Sequence, residues 1–327
     1  MLRNIRKAAA AISLAVGVAF AATACGSAAG AADVEFPSRT AQIVVPFGAG
    51  GGTDLIARAL ADIAADDFSR GISVENRTGG GGAIGLTSGA NATADGHTIT
   101  AVTVELTTLP HMGTGADLGL DSFAPVLMYN SAYSVLTVNA DSDFYTLDDV
   151  LSYAAANDFR IGNSGIGAIW HLAAAALAQE TGVDFVHVPY DGAADAITSL
   201  LGGHIEAVTV SYPEVSAQVE AGNLRVISVL APERNAAIPD VPTALEEGHN
   251  IVVGTWRGFA VPAATPAATV DALYEIFSAA AASDAFVHFM NNTNQPIDIQ
   301  GPEAFSARIA SDYAMFATLI ADLGIAG

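Results

Sequence analysis

The run Pro46-Phe47-Gly48-Ala49-Gly50-Gly51-Gly52-Thr53-Asp54 packs four glycines between a strand-like segment and a helical pattern. Glycines let backbone N–H groups converge without Cβ obstruction, and a helix N-terminus adds partial positive charge, so the chemistry such a loop suits is anion binding. It lacks the Gly-Lys-Ser/Thr of a phosphate-binding Walker loop. Gly48-x-Gly50-x-x-Thr53, with Glu75 near the end of the next strand, approaches the dinucleotide fingerprint but carries Thr at its sixth position. An NAD site and a purely structural turn stand as alternatives. Arg77-Thr78-Gly79-Gly80-Gly81-Gly82-Ala83-Ile84-Gly85 is a second glycine-rich junction ahead of a helix, and Gly162-Asn163-Ser164-Gly165-Ile166-Gly167-Ala168 is a third. Anion-receptive loops on two separate lobes, facing each other across a cleft, have the geometry of a clamshell binding protein.

Catalytic constellations are weaker. Ser164, His171 and Asp184 invite a triad, yet Gly162-Asn163-Ser164 only begins a nucleophile elbow, and Ile166 stands where its second outer glycine belongs. The seven histidines show no i, i+4 pairing and no metal spacing, so neither a metal nor a cofactor is expected. His171 and His187 read as packing or hydrogen-bonding residues, with ligand contact as the alternative. Trp170 and Trp256 read as core or cleft-lining aromatics. Glu105 reads as an exposed loop acid, with contact to a ligand amine as the alternative, and Arg257 as a counter-charge or half of a structural ion pair.

The elements that must position these groups alternate. Gln42 to Pro46 reads as a buried strand, and Thr53 to Ala65 as a helix with Leu55, Ala59 and Ile63 on one face. Ile72 to Glu75 and Thr98 to Val104 read as further strands, and this βαβ rhythm implies a parallel sheet covered by helices. After Tyr145 the pattern resets. Thr146-Leu147-Asp148-Asp149 opens a helix as a capping box would. Strands at 160–162, 183–188, 205–210 and 224–230 alternate with helices after Ala168 and Asp191. Two such systems suggest two lobes. Prolines punctuate 231–266, and the end is helical over 270–282 and 305–323.

The whole chain has 327 residues, of which 51% are hydrophobic and 14% charged, a composition that can bury a sizeable core. Arg3, Arg6 and Lys7 precede the apolar run Ala8 to Ala22 and the small residues Thr23-Ala24, which reads as a signal peptide over 1–24. Cys25, the only cysteine, follows them as the lipidated cysteine of a bacterial lipoprotein does, and Ala22-Thr23-Ala24-Cys25 resembles a lipobox. Ordinary cleavage beside a bystander cysteine is the alternative. One cysteine excludes an internal disulfide framework. Residues 25–36 read as a flexible tether, with the folded part starting near Pro37. The net charge of −22 argues against nucleic acid, whose phosphates need clustered bases.

Several motifs occur in an order that resembles the Bug/TctC family, the extracytoplasmic solute receptors of tripartite tricarboxylate transporters. They are Pro46-Phe47-x-x-Gly50-Gly51-x-x-Asp54-x-x-Ala57-Arg58, Val74-Glu75-Asn76-Arg77-x-Gly79-x-Gly81-Gly82, Ala94-Asp95-Gly96-His97-Thr98, His171-Leu172, His187-Val188-Pro189-Tyr190-x-Gly192, Pro239-x-Val241-Pro242-Thr243 and Trp256-x-Gly258. The resemblance runs from about residue 37 to 325. It implies a type II periplasmic-binding-protein fold, two α/β lobes with a ligand cleft and two crossover strands. Lobe one would comprise 37–137 plus 229–327, and lobe two 138–228. The implied role is that of an exported, non-catalytic lipoprotein, lipid-anchored to the outer face of the cytoplasmic membrane or held in the periplasm. It would capture a small organic carboxylate and deliver it to a permease of one large and one small subunit. Family ligands include di- and tricarboxylates, acidic amino acids and aromatic acids. A sensory receptor of the same fold, signalling to a histidine kinase, is the alternative. By motif, Phe47, Gly48, Ala49, Gly50, Gly51 and Asp54 belong to the first carboxylate-contacting loop, and Asn163, Ser164, Gly165, Gly167 and Ala168 to the facing one. His187, Tyr190 and Asp191 fall near the cleft floor. Asn163 and Ala168 replace hydroxyl residues usual in the family, which alters the ligand's expected partners.

Overall fold

A computed structural model describes residues 36–113 and 117–325. The leader, Cys25 and the tether to residue 35 lie outside the described residues. The described chain belongs to one compact unit that begins at Phe36.

Strand β1 (Ala41–Val45), helix α1 (Gly52–Ile63), β2 (Ile72–Asn76), α2 (Ala83–Ala90) and β3 (Thr98–Thr103) place β2 and β3 on either side of β1, all parallel. A short helix, α3 (Glu105–Thr108), follows, and then β4 (Phe123–Asn139), a strand of 17 residues. The second system is α4 (Leu147–Ala154), β5 (Arg160–Asn163), α5 (Ile169–Thr181), β6 (Val186–Pro189), α6 (Ala193–Leu201), β7 (Ala207–Ser211), α7 (Tyr212–Glu220) and β8 (Leu224–Leu230). Strand β9 (Gly254–Pro262) returns, and α8 (Ala267–Ala281), α9 (Asp284–Asn292) and α10 (Pro302–Asp322) close the chain.

The strand order is β2-β1-β3-β9-β4-β7-β5-β6, with β8 also paired to β4. The parallel sheet implied by the βαβ rhythm forms among β1, β2 and β3 and again among β5, β6 and β7, and two long strands cross it in the opposite direction. β4 is antiparallel to β9, β7 and β8, and β9 is antiparallel to β3. The reason is the path of the chain: β4 carries it away from the first strands and β9 brings it back alongside, so the two must run in opposite directions. β4 pairs with β9 over Phe123–Tyr133 and with β7 over Ser134–Val138, which makes it the strand shared by both halves of the sheet. Its register slips twice against β9, and such bulges bend a strand.

Two buried clusters form, one within the first strands and the C-terminal helices and one that runs across both halves, with Leu86, Val102, Trp256 and Phe305 of the first half packed into it. Ile43, Leu60, Phe68, Phe259 and Phe277 anchor one, and Val135, Phe159, Leu172, Val208 and Leu230 belong to the other. Helix α1 turns Ile56, Ala57, Leu60 and Ala61 inward and leaves Leu55 40% exposed, so the expected stripe of Leu55, Ala59 and Ile63 was one residue out of phase. The small Ala57 and Ala61 let the helix sit close to the sheet. The Thr146–Asp149 capping box forms as expected. No helix of the described residues is long and apolar enough to cross a membrane.

Candidate functional site

The two halves meet at a cavity lined by thirteen residues, among them Phe47, Gly52 and Thr53 at the start of α1, Glu105, Ser164 and Trp170 around the start of α5, Glu214 of α7 and Arg257 of β9. Its volume is about 20 Å³, room for one or two waters. Ligand sites usually enclose about 300–1,000 Å³, so this space by itself is too small for an organic molecule. A wider cleft of about 580 Å³ continues outward past Ser164, between Gly79–Gly82 on one side and Gly165, Ile166, Tyr190 and Asp191 on the other.

Arg257 reaches the cavity because successive strand residues face opposite ways. Its neighbour Trp256 points away, donates from Nε1 to Asp312 of α10 at 2.8 Å, and packs edge-on against Phe305, which pins β9. Arg257 as a whole is 2% exposed. It donates from Nη1 to Asn130 Oδ1 at 2.6 Å and from Nε to Thr53 Oγ1 at 3.1 Å, and its Nη2 lies 3.4 Å from Glu214 Oε1.

The starts of α1 and α5, the two anion-receptive ends, each face a carboxylate from the opposite half. Gly52 N–H donates to Glu214 Oε1 at 3.3 Å, and Ile169 N–H donates to Glu105 Oε1 at 2.8 Å. Glu105 also accepts from the Thr103 hydroxyl. Burial pushes the Glu105 carboxyl up, opposed by these two bonds and by the positive Arg257 nearby. The exposed-loop reading of Glu105 is thus overturned: α3 turns its side chain inward, where it is 2% exposed. For Arg257 the ion-pair reading holds, and the pair lies within the cavity wall.

Around this centre the halves touch through glycines. Gly48 N–H donates to the Asp191 carbonyl at 3.0 Å. Gly81, at φ +63°, comes so near the facing loop that a Cβ there would lie 2.4 Å from the Ile166 carbonyl oxygen.

Of the residues expected at the site, Phe47, Gly51 and Ser164 line the cavity, and Gly165, Tyr190 and Asp191 line the outer cleft. Gly48, Ala49 and Gly50 form the loop between them. Asp54 serves the loop from inside: it accepts from Gly50 N–H, Arg58 and Asn76. Burial raises its carboxyl, but those three donors outweigh burial and hold it below the usual range. Asn163 Oδ1 accepts from Gly165 N–H and shapes the second loop. Gly167 N–H donates to His171 Nδ1, and Ala168 caps α5. His187 packs against His171, with ring centroids 4.7 Å apart. Tyr190 donates its hydroxyl to Ser199 at 2.5 Å. The hydrolase triad does not assemble, since Asp184 is exposed and His171 Nδ1 is taken by the backbone. Among the described residues no cluster is arranged to hold a metal ion. Glu214 was missed, although Ser211-x-x-Glu214 is a legible helix start.

The model of the tripartite tricarboxylate transporter family receptor matches residues 56–324. The chain belongs to this receptor family, the Bug/TctC family. A UPF0065 protein of Bordetella pertussis is 31% identical over 261 residues, covering 79% of this chain and 81% of that one. A TctC solute-binding protein from Polaromonas, solved without ligand, is 37% identical at a TM-score of 0.64, covering 88% of this chain and 99% of that one. An R. palustris protein solved with adipate is 26% identical at a TM-score of 0.82, covering 89% and 99%. This receptor therefore superposes better on the less similar sequence.

Proposed function

We propose that this family member captures a small organic carboxylate between the lobes 37–137 plus 229–327 and 138–228, closes over it, and hands it to a tripartite tricarboxylate-type permease without catalysing a reaction. The observation that carries the reading is the cavity wall. Two helix N-termini line it beside the buried Arg257, each already holding a protein carboxylate, an arrangement suited to a carboxylate. The adipate bound by the R. palustris relative supports the ligand class. The order of the two TM-scores supports lobe closure, because rigid rotation of lobes lowers overall superposition without changing either lobe. The leader and Cys25 favour export and a lipid anchor, with acyl chains contributing about 0.8 kcal/mol per buried CH₂.

A thermal-shift screen followed by calorimetry tests the reading with succinate, adipate, citrate, glutamate, aspartate, benzoate, nicotinate, terephthalate and NAD. A ligand at about 100 times its Kd stabilises by about 2.7 kcal/mol, and one class of carboxylate is expected to do so. Silence with every carboxylate, or a shift with NAD alone, overturns it.

A further inference from the structure

The charges of the cleft are more specific than a carboxylate site requires. Arg257 and Glu214 form an ion pair across it, arginine from β9 on one side and glutamate from the start of α7 on the other, with side chains 3% and 5% exposed. Each partner is anchored to its own side through other atoms. Arg257 is held by Asn130 and Thr53. Glu214 Oε2 accepts from the N–H and the hydroxyl of Ser211, at 2.9 and 2.7 Å. Across the gap the contacts are loose: Glu214 Oε1 lies 3.3 Å from Gly52 N and 3.4 Å from Arg257 Nη2, beyond the roughly 2.7–2.9 Å of a strong charge-assisted bond. When the halves part, both charges stay where they are and lose each other.

A ligand entering between them must re-partner both. A buried charge that loses its partner is costly, so whatever splits this pair must offer an anion to one side and a cation to the other. A ligand carboxylate satisfies Arg257 Nη2 and Gly52 N–H. Glu214 Oε1 is left facing the ligand, and only a positive group satisfies it. Arg257 is the sole cation among the residues lining the cavity, and Glu105 adds a second carboxyl whose oxygens already accept from Ile169 N–H and the Thr103 hydroxyl. The wall therefore holds no second cation for a second ligand carboxylate. A diacid would set its far carboxylate against Glu214, a repulsion of the kind that excludes wrong ligands.

We propose that this receptor is tuned to carboxylates that also carry an ammonium group, with the carboxylate on Arg257 and Gly52 N–H and the ammonium on Glu214 Oε1. The inference rests on the carboxylate-receptor reading above. An intramolecular ion pair is exchanged for two intermolecular ones, and the net charge of the closed cleft does not change.

Calorimetry on the whole protein with matched pairs tests this: glutamate against glutarate, leucine against 4-methylpentanoate, and alanine against propionate. In the pairs that bind, the ammonium-bearing member is expected to bind at least about tenfold tighter. Glu214→Gln keeps an oxygen for Ser211 but removes the charge, and should collapse the ratio to below about threefold. A melting curve establishes that the variant is folded, and Glu220→Gln, which removes an exposed acid at the far end of α7 outside the cavity, serves as a second variant, expected to leave the preference in place. Equal or tighter binding of the acids that lack the amine overturns the inference, as does a preference that survives Glu214→Gln. Binding of diacids or benzoate with no amino acid bound overturns it too, and leaves the carboxylate-receptor reading standing. Failure of every acid, with or without an amine, overturns that reading and this inference together.

Discussion

His171 is kept neutral by its surroundings. Burial lowers its pKa to about 4, and the neighbouring His187, itself lowered by burial, pushes the same way. Gly167 N–H donates to Nδ1 at 3.3 Å, a bond that a protonated ring cannot accept. In the unfolded chain the ring takes up its proton near pH 6.5, so between about 6.5 and 4 the unfolded state binds a proton that the folded state refuses. Stability complete above pH 6.5 should be lost as the pH falls toward 4, by up to about 3 kcal/mol for this ring. Urea unfolding at pH 7.5 and 4.5 measures it. The wild type is expected to lose at least about 1 kcal/mol more than His171→Gln, and equal losses would show that the ring titrates normally. At this scale the sequence named Glu105 and Arg257 as candidates, but not which way they faced. Glu105 reads like any acid after a strand, and its burial follows only from the inward turn of α3.

Among the elements, the turn ahead of α2 bears most directly on closure. Gly81 sits at φ +63°, and a Cβ there would meet the Ile166 carbonyl at 2.4 Å, well inside contact distance. Gly81→Ala should therefore penalise this close approach of the two loops relative to a more open arrangement. The radius of gyration of the ligand-free protein by solution scattering is expected to exceed that of the wild type. An unchanged radius would show that the halves of the sheet are held together elsewhere. The three glycine junctions, the βαβ units on each side and the two C-terminal helices were legible because glycine clusters and apolar periodicity are local signals. β4 and β9 were not read as elements. Their pattern is buried on both faces, so it carries no alternation, and their pairing joins residues more than 100 positions apart, as Ser131 with Trp256.

At the scale of the molecule, the chain carries a net charge of −22, and the ligands proposed for it are anions. At about 0.15 M salt the screening length is about 8 Å, so the surface field is felt in the approach and hardly at contact. The association rate of adipate or glutarate should rise several-fold between roughly 10 and 300 mM salt as repulsion is screened, while that of a zwitterion such as leucine should stay flat. Stopped-flow tryptophan fluorescence follows both. A diacid rate that falls with salt would mean that the local field of Arg257 outweighs the surface.

Composition, glycine spacing and motif order sufficed for the family, the fold class and the positions of the glycine-rich loops, because glycine requirements, helix starts and apolar periods are written within a few neighbouring residues. Only the tertiary structure decided the mixed direction of the sheet and the phase of α1. It also decided the wall of the cleft, where Glu105 faces α5 and Glu214 faces α1 and Arg257. Those contacts join residues 43 to 162 positions apart, and charge pairing at such separation is set by how two halves come together in space.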